Sequence, residues 1–262
     1  MVIAHGSAGV QKKDIDRWVP FFNKLGIAAF LVDSYKPRHI DRTVDDQSLL
    51  DQSANDADAL SALRLLATDP RIDRKRIGVI GFSRGGVVAL DTAVNLIRKG
   101  VISDDTRFAA HIAFYPGCPT RFWSVPSPMT GAPIMMALAG KDNYTLPQPC
   151  IEYGNVMKAA GLDVEVHVYE RAYHDFDSTV AYFKSLPNAQ TSRNCPSSEI
   201  DPITWEYRIL NTGQTFKRYQ DFWAAYDYAK CRTTGVFVGS DFEAANKAEE
   251  DVRRFLARVF QP

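Results

Sequence analysis

The segment Ile77-Gly-Val-Ile-Gly-Phe-Ser-Arg-Gly-Gly86 constrains the fold of this chain more than any other. An apolar, β-branched run leads straight into Gly81-x-Ser83-x-Gly85 and then into a stretch with helical spacing. Glycines flank the serine because a side chain there would strike the neighbouring strand and helix, and the sharp turn between them lifts a hydroxyl above the sheet edge. The alternation repeats along the chain. Short apolar runs recur at 2–4, 27–32, 108–115, 134–139 and 164–169, and between most of them apolar residues are spaced as on a helix, as in Leu60, Leu63 and Leu66. Strands alternating with helices predict a mostly parallel sheet with helices on both faces, an α/β fold. Further helices are expected at 86–99, at 148–160 ahead of Gly161, and at 243–260.

A chain of 262 residues can bury a large core without staples. The 31 basic and 31 acidic residues balance, so no net field attracts nucleic acid or anionic lipid. No apolar stretch approaches the roughly 18 to 20 residues that span a bilayer, and residues 1–6 have no basic leader and cleavage site. One stretch departs from the alternation. From about 178 to 240 the chain is rich in aromatics, Asn, Ser and Thr, with a hairpin predicted at 207–216 around Asn-Thr-Gly. It is read as an insertion within one domain spanning 1–262, either a peripheral decoration or a cover over something.

A serine hydroxyl is a weak nucleophile until a base takes its proton, so Ser83 calls for an acid and a histidine further along the chain. Asp142 stands at the carboxyl end of the 134–139 strand, where open α/β sheets gather their sites, and His174 lies in the loop after the next strand. Asp175 and Asp177 are rival acids, but they lie almost beside His174, and an orienting carboxylate normally comes from a separate loop. His111 and His167 fall within strands, His5 ends the first one, and His39 lies in a loop. The loop His5-Gly-Ser-Ala-Gly9 can aim a backbone N–H at a developing oxyanion beside the N–H of Arg84. No phosphate-cradling glycine motif or metal-ligand spacing occurs, so neither a cofactor nor a metal is expected.

Taken together, these motifs resemble the dienelactone hydrolase family of the α/β-hydrolase superfamily. The likeness runs through residues 5–10, Asp33-Ser-Tyr-Lys-Pro-Arg38, residues 76–86, Phe114-Tyr-Pro-Gly117, Ala139-Gly-Lys-Asp142, Tyr173-His-Asp-Phe176 and the last helix, about two-thirds of the chain. It implies an α/β-hydrolase fold, a triad of Ser83, Asp142 and His174, and an oxyanion hole from the N–H groups of Ser7 and Arg84. Founding members carry a cysteine nucleophile and two arginines that grip a substrate carboxylate. Here the nucleophile is serine, Arg38 matches the first arginine, and Asp175 to Ser178 stand where the second would fall. The expectation is therefore a serine carboxylesterase acting through an acyl-enzyme on small-molecule esters. Arg38 and Tyr35 are its substrate-binding candidates. Phe82, Tyr115 and Trp123 complete an aromatic neighbourhood that favours small or aromatic esters. A peptidase or acyltransferase would keep the same site, and an idle binding module would keep only the scaffold. Family members begin with one or two strands before the one that Met1 opens here, so a signal could precede Met1.

Four cysteines remain. Cys118 and Cys150 follow neighbouring strands, and Cys195 and Cys231 both fall in the insertion, so the expected bridges are Cys118 with Cys150 and Cys195 with Cys231. Bridges of this kind favour a periplasmic or secreted protein over a cytoplasmic one.

Overall fold

The computed structural model describes residues 1–122, 128–226 and 228–260. In chain order the elements are β1 (Val2–Ala4), α1 (Val19–Lys24), β2 (Phe30–Val32), α2 (Gln52–Leu66), β3 (Gly78–Phe82), α3 (Arg84–Asp91), α4 (Asn95–Lys99), β4 (Ala110–Phe114), β5 (Thr120–Phe122) and β6 (Ile134–Ala139). There follow α5 (Pro147–Ala159), β7 (Val164–Tyr169), β8 (Phe183–Thr191), β9 (Ser198–Ile200), β10 (Tyr207–Ile209), β11 (Thr215–Phe216), α6 (Tyr219–Tyr226), α7 (Tyr228–Cys231), β12 (Thr233–Gly239) and α8 (Phe242–Val259).

Six strands form a wholly parallel sheet in the order β2-β1-β3-β4-β6-β7. Alternate strand residues serve opposite faces, as a period of two requires. Val2, Ala4, Val79 and Met136 pack with Leu60 and Leu63 of α2, Val88 of α3 and Met157 of α5. Ile3, Ile80, Phe82, Ile112 and Phe114 pack on the other face with Trp18, Phe22, and Val252 and Phe255 of α8. α8 starts where the Asp241 carboxylate accepts from the Ala244 N–H at 3.0 Å, and it buries Ala244, Ala245, Ala248, Val252, Phe255 and Leu256 at helical spacing. The α/β expectation therefore holds. Among the described residues, no helix is long and apolar enough to cross a membrane.

The helix expected at 86–99 is two helices. The Thr92 hydroxyl donates back to the Val88 carbonyl at 2.8 Å, and Val94 turns to extended backbone and bridges to Met129. Asn95 N–H then reaches the Pro128 carbonyl at 2.6 Å. Pairing with a remote segment thus outweighs local helical spacing at 92–94.

The insertion has structure of its own. β8 and β12 form a long antiparallel ribbon, from Phe183 opposite Gly239 to Thr191 opposite Thr233, with β8 bulged at residues 187–189 opposite Gly235, whose φ is +86°. Beyond the ribbon, β9, β10 and β11 pair antiparallel, and β5 joins β9 in parallel. The predicted hairpin is β10–β11, turning at Gly213 with φ +72°. Tyr207, Ile209, Phe222 and Tyr226 form a small separate core there. Both expected disulfides are present: Cys118 to Cys150 with Cα atoms 5.1 Å apart, and Cys195 to Cys231 at 4.8 Å.

The ribbon also touches the main sheet's loops. Val238 bridges to His174, Gly239 N–H donates to the His174 carbonyl at 3.0 Å, and Asp241 N–H donates to the Phe176 carbonyl at 3.0 Å.

Candidate active site

Ser83 sits between β3 and α3 with φ 55° and ψ −115°, a backbone strained for a residue with a side chain. Its surroundings explain the glycines. A Cβ on Gly81 would lie 1.8 Å from the Gly85 carbonyl oxygen, and one on Gly85 would lie 2.1 Å from that of Ala4. Only hydrogen at these positions lets β3, α3 and β1 approach closely enough to hold the turn.

Loops after two further strands meet the serine. Ser83 Oγ is 2.9 Å from His174 Nε2, and His174 Nδ1 is 2.7 Å from Asp142 Oδ2. Asp142 Oδ1 accepts from the N–H groups of Tyr144 at 2.8 Å and Thr145 at 2.9 Å, a turn closed by the carboxylate itself. Thr145 Oγ1 lies 3.0 Å from Asp142 Oδ2 and 3.1 Å from His174 Nδ1, and it donates to the Tyr115 carbonyl. The imidazole is packed between the rings of Tyr115 and Tyr144, with centroids 4.6 and 4.7 Å away. Asp142 and His174 are both buried. The Cys118–Cys150 bridge ties the chain after Tyr115 to α5, which follows the Asp142 loop.

The loop after β1 reaches the serine from the other side. A Cβ on Gly6 would lie 3.3 Å from that of Ser83, so the glycine lets Ser7 approach. Arg84 is the first residue of α3, where an N–H has no partner within the helix. Behind the loop His5 is neutral: its Nε2 accepts from the Ser34 N–H at 3.1 Å and its Nδ1 is 2.8 Å from the Gly6 carbonyl, while burial lowers its pKa. His111 is likewise a core imidazole, 2.8 Å from the Ala89 carbonyl, with its pKa lowered to about 4 by burial.

The rival acids have another partner. Lys13, buried beside Phe82, donates to Tyr115 Oη, to Asp175 Oδ1 and to Asp177 Oδ1, the last at 2.8 Å. These contacts use all three ammonium protons. Trp18 Nε1 and Tyr115 Oη also donate to Asp177, at 2.7 and 2.5 Å, and Tyr182 of the ribbon approach donates to Asp175. Burial alone would lower the Lys13 pKa, but Asp175, Asp177 and Asp14 outweigh it and raise the pKa above its ordinary value. Burial raises Asp14 to about 6 despite Lys13.

Around Ser83 and His174 lies a cavity of about 120 Å³. Phe82, Tyr115 and Tyr144 line it from the sheet side, and Tyr182, Lys184, Leu186 and Val238 line it from the ribbon. The insertion therefore covers the site through Tyr182 and the strands β8 and β12. Strand alternation puts Lys184 and Leu186 on one side of β8. A larger groove of about 810 Å³, lined by Met1, Phe30, Ile77 and Phe260, lies at the opposite, amino end of the strands, away from Ser83.

Two expected substrate contacts lie elsewhere. Arg38 is held by Asp58 at 2.7 and 2.9 Å and by the Ser34 carbonyl at 2.7 Å, and it is not on the cavity wall. A nearby carboxylate on α2 claims this guanidinium. Tyr35 is fully buried, its hydroxyl 2.8 Å from Thr43 Oγ1 and its ring against His5, so it supports the loop after β1 from behind. Trp123 lies outside the described residues. Lys13, Thr145 and Tyr182 gave no clear signal in the sequence, although Thr145 stands three residues after an aspartate, a spacing that suits such turns.

A serine at a strand-to-helix turn above a parallel sheet, with histidine and aspartate delivered by later loops, is the architecture of the α/β hydrolases. The chain belongs to the dienelactone hydrolase family, whose family model matches residues 1–194. The chain is similar to solved structures, and two of one enzyme agree on the fold. Esterase 2 of the planctomycete Thermogutta terrifontis, in its native structure, is 18% identical with a TM-score of 0.51, covering 67% of this chain and 72% of that one. The same enzyme phosphoramylated by tabun gives 19% identity with the same TM-score and coverage. MGS-M1, an α/β hydrolase enzyme from a Medee basin deep-sea metagenome library, is 19% identical with a TM-score of 0.49, covering 67% of this chain and 69% of that one. A comparison with curated proteins gives no match.

Proposed function

We propose that this chain is a serine carboxylic ester hydrolase for small or aromatic esters, with Ser83, His174 and Asp142 as its triad. The observation that carries this reading is the continuous hydrogen-bond chain from Ser83 Oγ through His174 to Asp142 on a strained turn. His174 takes the Ser83 proton as Oγ bonds to the ester carbonyl carbon, and the N–H groups of Ser7 and Arg84 hold the resulting oxyanion. The intermediate collapses, the alcohol leaves with the proton from His174, and an acyl-serine remains. Water, deprotonated by His174, then releases the acid and restores Ser83. Asp142 keeps the imidazole in the right tautomer and stabilises it when charged.

The cavity supports a small acyl group, because about 120 Å³ lined by aromatic rings suits a compact ester better than a long chain. The two disulfides support a periplasmic or secreted setting. The ribbon's bonds to the His174 loop support one domain over 1–262. A fluorophosphonate probe tests the reading: we expect stoichiometric labelling of the Ser83 peptide with loss of ester turnover. An unlabelled protein, or label elsewhere, would refute it. Because Arg38 is bound to Asp58 off the cavity wall, Arg38→Ala is expected to leave the ratio of anionic to neutral ester turnover unchanged. A selective loss on anionic esters would restore Arg38 as a substrate contact.

A further inference from the structure

Gln47 opens the short turn Gln47–Leu49 in the loop between β2 and α2. Its side-chain oxygen lies 3.1 Å from Ser7 Oγ, 3.1 Å from Arg84 Nη1 and 3.3 Å from Thr43 Oγ1. The orientation of the amide follows from Arg84, because a guanidinium only donates and must face oxygen. The amide nitrogen then donates to Tyr144 Oη at 3.4 Å, and the Tyr144 ring packs on His174. Gln47 N–H donates to Gln190 of β8 at 3.2 Å. Among the described residues, Gln47 is the one side chain bonded to both Ser7 and Arg84.

We infer that Gln47 is a positioning residue that sets the two oxyanion donors relative to each other. The inference rests on the reading of Ser83 as nucleophile. Ser7 belongs to a loop and Arg84 to a helix; the backbones of the two segments meet at Gly6 and Gly85, and Gln47 adds a shared acceptor that ties their side chains together. Arg84 is further held by Asn55 Oδ1 at 2.9 Å and by the Leu50 carbonyl, so its side chain is anchored to the Gln47 loop. The Ser7 carbonyl accepts from Thr43 N–H at 2.8 Å, which anchors the other donor to the same loop. Gln47 does not line the cavity, so it acts through these residues and does not touch substrate. Oxyanion donors stabilise charge that exists only in the transition state, and a misplacement of about 1 Å at a reacting centre costs roughly 100-fold.

The test uses Gln47→Met in the full chain. We expect kcat on p-nitrophenyl acetate to fall roughly 10- to 100-fold, with KM within about threefold of wild type. The inhibition constant of a trifluoromethyl ketone, whose adduct with serine carries an oxyanion, should rise by a similar factor. A lowered Tm with unchanged kcat and unchanged inhibition would show a merely structural role and overturn the inference. Ser7→Ala keeps its N–H but loses its bond to Gln47, so kcat should fall about 3- to 10-fold. The double variant should be no worse than Gln47→Met, and additive losses would overturn the inference. If Gln47→Met does not fold, an unchanged kcat in Ser7→Ala is sufficient to reject it. Ser83→Ala, run alongside, separates the two ideas: retained turnover there removes the nucleophile, whereas an inert Ser83→Ala with wild-type kinetics in the Gln47 and Ser7 variants removes only this inference.

Discussion

Ser83→Ala and His174→Ala are each expected to lower p-nitrophenyl ester turnover by roughly 10³- to 10⁶-fold with folding intact, because triad members act as a unit. Asp142→Asn should cost about 10⁴-fold for a reason visible in its contacts. Asp142 Oδ1 accepts two backbone N–H groups while Oδ2 faces His174 Nδ1. An asparagine that keeps its oxygen on the backbone must turn its NH2 toward the imidazole. Nδ1 would then have to accept, the ring proton would move to Nε2, and the base facing Ser83 would be lost. Steady-state kinetics with circular dichroism on each variant decides the matter. Near-normal turnover in Ser83→Ala would end the proposed mechanism.

Lys13→Met is expected to destabilise the protein by about 3 to 5 kcal/mol, the usual result of removing one partner from a buried ion pair. The methionine fills similar space but leaves Asp175 and Asp177 facing each other without a cation. Urea unfolding should show the loss, and adding Asp177→Asn should recover part of it. A change below about 1 kcal/mol would mean that the cluster contributes no more than a surface pair. This cluster's share of the pH dependence follows from two opposed carboxyls. Burial would raise Asp175, but Lys13 outweighs it and lowers its pKa, so its contribution is present above the ordinary 3.8 and fades as pH falls through the lowered value. Asp14, raised to about 6, favours the folded state on protonation, so its contribution weakens as pH rises from about 4 to 6.

The fold and the triad candidates were legible because their causes are local. A β-branched run, a glycine on each side of Ser83, and an aspartate and a histidine at successive strand ends all leave marks within ten residues of sequence. What escaped depends on partners far along the chain. Lys13 stands in Gln-Lys-Lys-Asp, where nothing nearby in sequence marks it out until Asp175 and Asp177 are folded against it. Gln47 is an ordinary loop amide until Ser7 and Arg84 arrive from either side. Arg38 shows the reverse: a motif position offered as a substrate-binding candidate is held by Asp58, twenty residues on. At Val94, helical spacing lost to a bridge with Met129, which lies beyond three further elements.

The match to the family ends at residue 194, yet the segment that flanks the histidine loop comes from 238–241. All three proposed triad side chains lie within the shared portion, so a fragment cut at that boundary would hold the full set of reacting groups. It would also strip the main-chain donors from the His174 and Phe176 carbonyls and expose the sheet face that α8 covers. The span that the family model matches and the span that holds the His174 loop are therefore different in this chain. Excising the residues beyond 194 is expected to leave the proposed triad side chains in a polypeptide that has lost the main-chain bonds to its histidine loop.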